Sequence, residues 1–382
     1  HLADVSMTIC EQFLMGLVSK SGEFSDFYFK RLPVSGNVSD VAYISQGSMF
    51  FIHVFLAVGG VLLLLSPKGI PFKRLGILLI LPLFFSKPFS DTSWLHKYFL
   101  NQDPLIVTVL DVGQGLSVVV KAGDKTLLYD TGPGNGDGFN AGDAIVLPYL
   151  QSQSIVHLDR LIVSHNDNDH AGGAQAILQS LPVIDQFIYG EKSTWISTQH
   201  LIKQKSTHII HPKSHSKMAK HYLCDKNQHW IWNDVDFYLI EPKGSTFLKG
   251  KNNQSCVLMV SYKGQHILLS GDIERAVEQT LLSNKQLPSD ITLLIAPHHG
   301  SRTSSSASFV NHLKPKAVVF SAGFNSRYGH PHPNVIERYN RIESRLFNTG
   351  NMGQIEFRFD KDGVMTTQQW RKDHQRYWFS HD

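Results

Sequence analysis

Residues 165–170 read His-Asn-Asp-Asn-Asp-His, two histidines and two aspartates within six positions. The apolar run Leu161-Ile162-Val163 precedes them, and Ala171-Gly172-Gly173 follows. The run reads as a short buried strand, and the glycines let a helix begin close to the strand end. Four metal-binding side chains are thus presented on one turn. Two carboxylates held so close repel each other, and a divalent cation between them removes that cost. Metal-dependent chemistry is therefore the first expectation.

Two further segments place candidate ligands at strand ends. Ser270-Gly271-Asp272 follows the apolar run 267–269, and Ala296-Pro297-His298-His299-Gly300-Ser301 follows the run 293–295. Strand C-termini are where sites collect in layered α/β proteins. No Ser-His-Asp or Cys-His set stands out, so a side-chain nucleophile is not expected.

His-x-Asp-x-Asp-His followed by Gly-Gly resembles the signature of the metallo-β-lactamase superfamily, with Asp167 where most members carry a second histidine. That departure, with Leu110–Gly115, Tyr129–Gly132, Leu269–Asp272, Pro297–Ser301 and Tyr328-Gly329-His330-Pro331, is similar to the ComEC family of competence DNA-uptake proteins. The resemblance covers roughly residues 104–372 and, more weakly, 1–100 as the end of a membrane channel. It implies a four-layer αββα sandwich, where the residue pattern alone gives mixed α/β.

The resemblance also implies roles. His165 and Asp167 hold one metal, Asp169 and His170 a second, and Asp272 bridges them. One of His298 and His299 completes the second shell, with His299 preferred and His298 turned to the substrate. Asp169, His298 and His330 are the catalytic candidates. Ser301, Arg302 and His330 are the substrate-binding ones, with Ser301–Ser304 either opening a helix whose N-terminus receives a phosphate or forming a capping cluster. The histidine that usually completes the first site has no obvious counterpart, and Asn253 or Ser255 is expected nearby instead. Asp111, Gln114 and Asp130 are expected around the first site, or as turn residues.

The ligand set is rich in carboxylate and poor in sulfur. Two divalent ions are expected, Mn²⁺ favoured and Zn²⁺ or Mg²⁺ compatible. Such a pair suits attack on a phosphodiester by activating water and screening phosphate charge. The expected function is a metal-dependent nuclease-like domain of a DNA-uptake channel protein, hydrolysing the strand that is not transported. The expected partners are single-stranded or linear duplex DNA, the membrane and other competence proteins. The alternatives are another hydrolase on the same fold, a phosphodiesterase or lactonase, and a non-catalytic DNA-guiding domain.

The whole chain has 382 residues, 42% apolar and 18% charged, with a net charge of +4. That composition belongs to a folded protein and permits an anionic polymer as partner without arguing for one. Residues 47–66 contain no Asp, Glu, Lys or Arg, which suits a spanning helix of about 20 residues. A second apolar run, Leu75 to Phe89, is broken by Pro82 and Lys87 and either crosses or re-enters. Lys68, Lys73 and Arg74 between the two runs assign that loop to the cytoplasm. If the second run crosses, Trp94, Tyr98 and Phe99 stand near the outer interface and the rest is extracytoplasmic. The expected organisation is 1–46 as the end of a channel region, 47–100 as one or two transmembrane helices, and 101–382 as the hydrolase domain. The expected location is the inner (plasma) membrane, multi-pass, as the C-terminal piece of a longer protein. Residues 192–232, rich in His and Lys, read as a solvated surface able to touch phosphates. Cys10, Cys224 and Cys256 are too few and too scattered for a disulfide framework or a Cys-based zinc site.

Overall fold

A computed structural model describes residues 49–66, 73–84, 104–134, 138–181, 184–191, 220–224, 227–241 and 250–374. The expectations for residues 1–46, for Trp94, Tyr98 and Phe99, and for most of the His- and Lys-rich segment lie outside these residues. Of that segment, Lys220, His221 and His229 are described, and all three are exposed.

The chain divides into two compact units, 1–90 and 91–382. In the first, helices cover Met49–Leu65 and Leu75–Phe84. The longer has 17 residues, about 25 Å at 1.5 Å per residue, short of the roughly 30 Å of a bilayer's hydrocarbon core. Among the described residues no helix is long and apolar enough to cross a membrane.

The second unit is built on two sheets. Strands β1 (Leu105–Val109), β2 (Val118–Ala122), β3 (Lys125–Tyr129), β4 (Leu158–Val163), β5 (Ile184–Tyr189) and β6 (Lys220–Leu223) belong to the first. Strands β7 (Gln228–Trp232), β8 (Val235–Ile240), β9 (Val257–Tyr262), β10 (Gln265–Leu269), β11 (Leu293–Ile295), β12 (Ala317–Phe320) and β13 (Arg345–Asn348) form the second. Then β14 (Ile355–Phe359) and β15 (Met365–Gln369) return to the first. The orders are β15-β14-β1-β2-β3-β4-β5-β6 and β13-β12-β11-β10-β9-β8-β7. Both sheets change from antiparallel hairpins to parallel strands, at β3–β4 in one and at β10–β11 in the other.

Side-chain alternation assigns the layers. Leu127 and Tyr129 of β3, Ile162 of β4 and Ile267 and Leu269 of β10 enter a core shared by both sheets. Leu128, Leu161 and Val163 face the opposite way and pack with Leu147, Leu150 and Ile177. Leu268 of β10 packs outward with Val277, Leu281, Phe309 and Val335. Three apolar interfaces therefore separate four layers, the expected αββα sandwich. Each fully buried Leu or Phe contributes about 1.5–3 kcal/mol by leaving water.

The cysteine reading is corrected. Cys224 and Cys256 form a disulfide, with Cα atoms 5.8 Å apart. Their sequence separation of 32 hid the pairing. The end of β6 and the segment entering β9 meet only once the sheets are stacked.

Candidate metal centre

The segments that bear His165–His170, Asp272 and His298–His299 leave the C-terminal ends of β4, β10 and β11, each of which has a parallel neighbour. After β4 the chain turns into a one-turn helix, Asn168–Ala171, which lifts Asp169 and His170 over the sheet edge. The turn fits because Gly172 lies against Thr131–Gly134. A Cβ on Gly172 would stand 2.1 Å from the Gly134 amide nitrogen. After β10, Gly271 takes a φ of +54°, and a Cβ there would meet Ser255 and Ser164 at 2.8 and 3.0 Å. Asp272 follows. After β11, His298 and His299 both adopt left-handed backbone, with φ of 49° and 55°. Two successive non-glycine residues in that region cost on the order of 1–3 kcal/mol each, strain of the kind that collects at functional sites.

Asp169, His170, Asp272 and His299 come together, each offering a ligand atom within 4.8 Å of the others. His170 Nε2 lies 3.0 Å from Asp272 Oδ1 and 3.2 Å from His299 Nε2. His299 Nε2 lies 3.3 Å from Asp169 Oδ2. His170, Asp272 and His299 are buried. The far nitrogens of both imidazoles are engaged. His170 Nδ1 is 2.7 Å from Asp130 Oδ2, and His299 Nδ1 is 2.8 Å from the Ser321 carbonyl. Those acceptors hold a proton on each Nδ1, so Nε2 is the nitrogen aimed at the cluster and the one a metal would take in place of its proton.

His165 and Asp167 adjoin this group. The His165 ring centroid is 4.3 Å from that of His170, and its Nε2 is 3.7 Å from Asp167 Oδ2. Ser255 Oγ stands 3.4 Å from His165 Nδ1 and accepts from the Asp272 amide, so Ser255 does lie beside the first site. Asn253 instead accepts from the Glu274 amide. Lys251, which the sequence reading missed, reaches within 3.4 Å of Asp167.

The charges are strongly coupled. Burial opposes ionisation of Asp272, but His170 and His299 hold its pKa well below the usual carboxylate range. Burial likewise opposes ionisation of Asp169, yet His299 and His170 bring its pKa to about 2. His170 is held well above the ordinary histidine value by Asp272 and Asp130 against its burial. His299 is raised by Asp272 and Asp169, again against burial. His165, with Nε2 3.7 Å away, comes first in holding the Asp167 pKa down, with Lys251 adding to it.

These residues fit divalent metal. His165 Nε2 is buried without a hydrogen-bond partner, a costly arrangement for a polar atom unless it is a ligand, and the buried Asp272 Oδ1 meets the His170 nitrogen at 3.0 Å. Carboxylate oxygen and imidazole nitrogen are suitable donors, and the carboxylate–histidine pair Asp130–His170 orients one of them.

The profile of the "Metallo-beta-lactamase superfamily" matches residues 110–323, more than half of the chain. The chain belongs to this superfamily. It is 33% identical over 258 residues to "Recombination protein 2" of Haemophilus influenzae, covering 67% of this chain and 29% of that protein. It is 30% identical over 310 residues to "Competence protein ComA" of Neisseria gonorrhoeae, covering 81% and 39%. It is 29% identical over 266 residues to "ComE operon protein 3" of Bacillus subtilis, covering 66% and 33%. One of these relatives is named a competence protein, one a recombination protein and one a ComE operon protein, and together they bear out the ComEC resemblance. The chain spans well under half the length of each.

Within the metallo-beta-lactamase frame, the remaining candidates line the rim. His298 is half-buried, 3.8 Å from both Asp272 and Glu274, with Nδ1 3.1 Å from Thr303 Oγ1. Burial lowers its pKa. His330 stacks near His299 at a centroid distance of 6.3 Å, and Gln114 Nε2 lies 3.5 Å from its Nδ1. Burial, then His299 and His298, lower the His330 pKa to about 4.

Three expectations change. Asp130 serves the second site, through His170, and also accepts from the Ser164 amide and hydroxyl at 2.6 and 2.8 Å. Asp111 is paired with Arg371 at 2.6 Å and lies outside the cluster. Ser301 and Arg302 do not open a helix. The next helix is Ala307–Leu313, capped by Ser306, and the amides of Ser305 and Ser306 donate to the buried Glu278 carboxylate. Ser301 Oγ accepts from the Thr303 amide, while Arg302 is exposed. The missed Glu278 lay on an amphipathic helical pattern, where a lone acid reads as surface.

Proposed function

We propose that this chain carries the metal-dependent nuclease domain of a membrane DNA-uptake protein and hydrolyses phosphodiester bonds of the strand that is not transported. The observation that carries the reading is the cluster of Asp169, His170, Asp272 and His299 at the meeting of two sheets, with an unpartnered buried ring nitrogen at His165 beside it. The competence and recombination names of its relatives support DNA as the substrate class.

Asp169, His170 and His299 would hold one ion, His165 and Asp167 the other, with Asp272 between them. When bound, the ions would supply an activated water and screen charge on the phosphate, and the carboxylate-rich set favours Mn²⁺ over Zn²⁺ or Mg²⁺. The chain's own residues do the rest. Asp130 and Ser321 fix the imidazole orientations. With a pKa near 4, His330 is neutral at neutral pH, so its ring suits hydrogen bonding to a phosphate oxygen better than proton donation. His298, half-buried between Asp272 and Glu274, faces the substrate side, and exposed Arg302 adds a cation at the rim with Ser301 shaping the turn beneath it. The charge-free run 47–66 and the basic loop after it support a location at the plasma membrane, and a crossing by the run 75–89 would put this domain outside the cytoplasm. The Cys224–Cys256 disulfide is in keeping with an oxidising compartment.

One observation favours a second reading. Lys251 pairs with Asp167 where a further first-site ligand would be expected, which suits a domain that guides DNA with a weakened metal site. The test uses linear single-stranded DNA with Mn²⁺. A nuclease loses cleavage in His170→Ala yet keeps DNA binding, because phosphate contacts are spread over many cations. Arg302→Ala should mainly raise the substrate concentration needed. Wild type and His170→Ala equally inert, with both binding DNA, would replace the nuclease by the guiding domain.

A further inference from the structure

The loop after β12 carries a group of aromatic and cationic side chains that the proposed chemistry does not use. It is set by two successive turns, with the Ser326 amide donating to the Gly323 carbonyl at 3.1 Å and the Gly329 amide to the Ser326 carbonyl at 2.9 Å. Ser326 Oγ donates to Gln114 Oε1 at 2.7 Å and accepts from the Tyr328 amide at 3.3 Å. Gln114 also reaches His330, so the loop is braced against the rim of the metal centre.

On this braced loop Phe324 is 71% exposed and Tyr328 56% exposed. Large aromatics on a turn gain nothing by facing water, and most others in this unit are buried in the three cores. The Tyr328 ring lies 6.1 Å from that of His330 at an interplanar angle of 28°, and His330 continues to His299 at 6.3 Å and 24°. Ring planes of similar tilt therefore run from the ligand cluster outward to solvent. The Arg327 guanidinium stands 4.9 Å from the Tyr328 ring centre and donates to its hydroxyl at 2.8 Å. A cation over one side of an exposed ring, next to a phosphate-handling centre, is the pairing that single-stranded nucleic acid uses, base on ring and phosphate on cation.

We infer that Phe324 and Tyr328 form a stacking platform for unpaired bases of a DNA strand whose phosphates lie along Arg327 and the metal centre. This rests on the nuclease reading for its substrate class and adds what that reading lacks, a selection for single strands. Bases in a duplex already have both faces stacked, whereas unpaired bases of any sequence can settle on an aromatic ring. A protein segment on the same rings is the competing occupant, and it carries no dependence on bases.

The test measures binding by the full chain, under chelation so that nothing is cleaved. Fluorescence anisotropy compares an oligothymidylate with an abasic oligonucleotide of equal length. Wild type should prefer the oligothymidylate. Phe324→Ala and Tyr328→Ala should each weaken that binding by about 5- to 150-fold, the range for loss of one base stack, and leave abasic binding unchanged. Tyr328→Phe, which keeps the ring, should bind like wild type. Equal wild-type affinity for the two oligonucleotides, or unchanged binding in both alanine variants, overturns the platform. Cleavage is read separately with Mn²⁺. Base-dependent binding without cleavage leaves the platform standing and removes the nuclease, whereas cleavage without base dependence does the reverse.

Discussion

Asp130→Asn changes a single atom yet should cripple one metal site. Asp130 Oδ1 takes the Ser164 amide at 2.6 Å, and Oδ2 takes Ser164 Oγ at 2.8 Å and His170 Nδ1 at 2.7 Å. In the asparagine variant the carbonyl oxygen must stay on the Ser164 amide, because the flipped amide would set an NH₂ against a backbone N–H. The NH₂ then faces His170 Nδ1 and selects the tautomer with its proton on Nε2. That nitrogen, 3.0 Å from Asp272 Oδ1, can no longer serve as a ligand. Loss of such a carboxylate–histidine partner lowers metal affinity about 10- to 100-fold, about 1.4–2.7 kcal/mol. Asp130→Ala is harsher. It strands three buried donors at about 1–3 kcal/mol each and should cost about 3–9 kcal/mol of folding stability. Calorimetric titration with Mn²⁺ measures the first effect and urea unfolding the second. Wild-type affinity for both ions in Asp130→Asn would refute the tautomer argument.

Other consequences are as direct. Cys224→Ser opens a bridge between residues 32 apart, worth about 3.7 kcal/mol on the loop-entropy relation, so thermal unfolding should fall by about 7–15 °C. An unchanged melting temperature, with or without reductant, would count against the bridge. Glu278→Ala leaves the Ser305 and Ser306 amides without their acceptor and should destabilise by about 2–4 kcal/mol in urea, and a loss under about 0.5 kcal/mol would contradict that account. A topology reporter fused after residue 100 should read extracytoplasmic and one near Lys68 cytoplasmic, while the same side for both would place this domain inside.

The ligand-bearing segments were legible because each follows a short apolar strand. The runs before His165, Asp272 and His298 are β4, in the first sheet, and the neighbouring β10 and β11, in the second. What stayed hidden depends on contacts across the fold. Asp130 reaches His170 only because β3 and β4 pair in parallel, with Tyr129 opposite Ile162. Lys251 and Cys256 approach only when the two sheets stack. The helix expected at Ser301 was displaced because His298 and His299 adopt left-handed backbone and the chain needs further turns before Ala307. His298 and His299 were indistinguishable as residue types; burial separates them, with His299 inside the cluster and His298 at its rim.

The central claim is that this cluster holds metal that cleaves DNA, and cleavage of end-labelled linear single-stranded DNA tests it most directly. Wild type should cut with Mn²⁺, lose activity on chelation and regain it when Mn²⁺ is restored. Asp272→Ala should be inactive throughout, since its carboxylate lies between both sets of ligands, while still binding the same DNA. Cleavage that survives chelation, or an Asp272→Ala chain that cuts at the wild-type rate, would contradict the account.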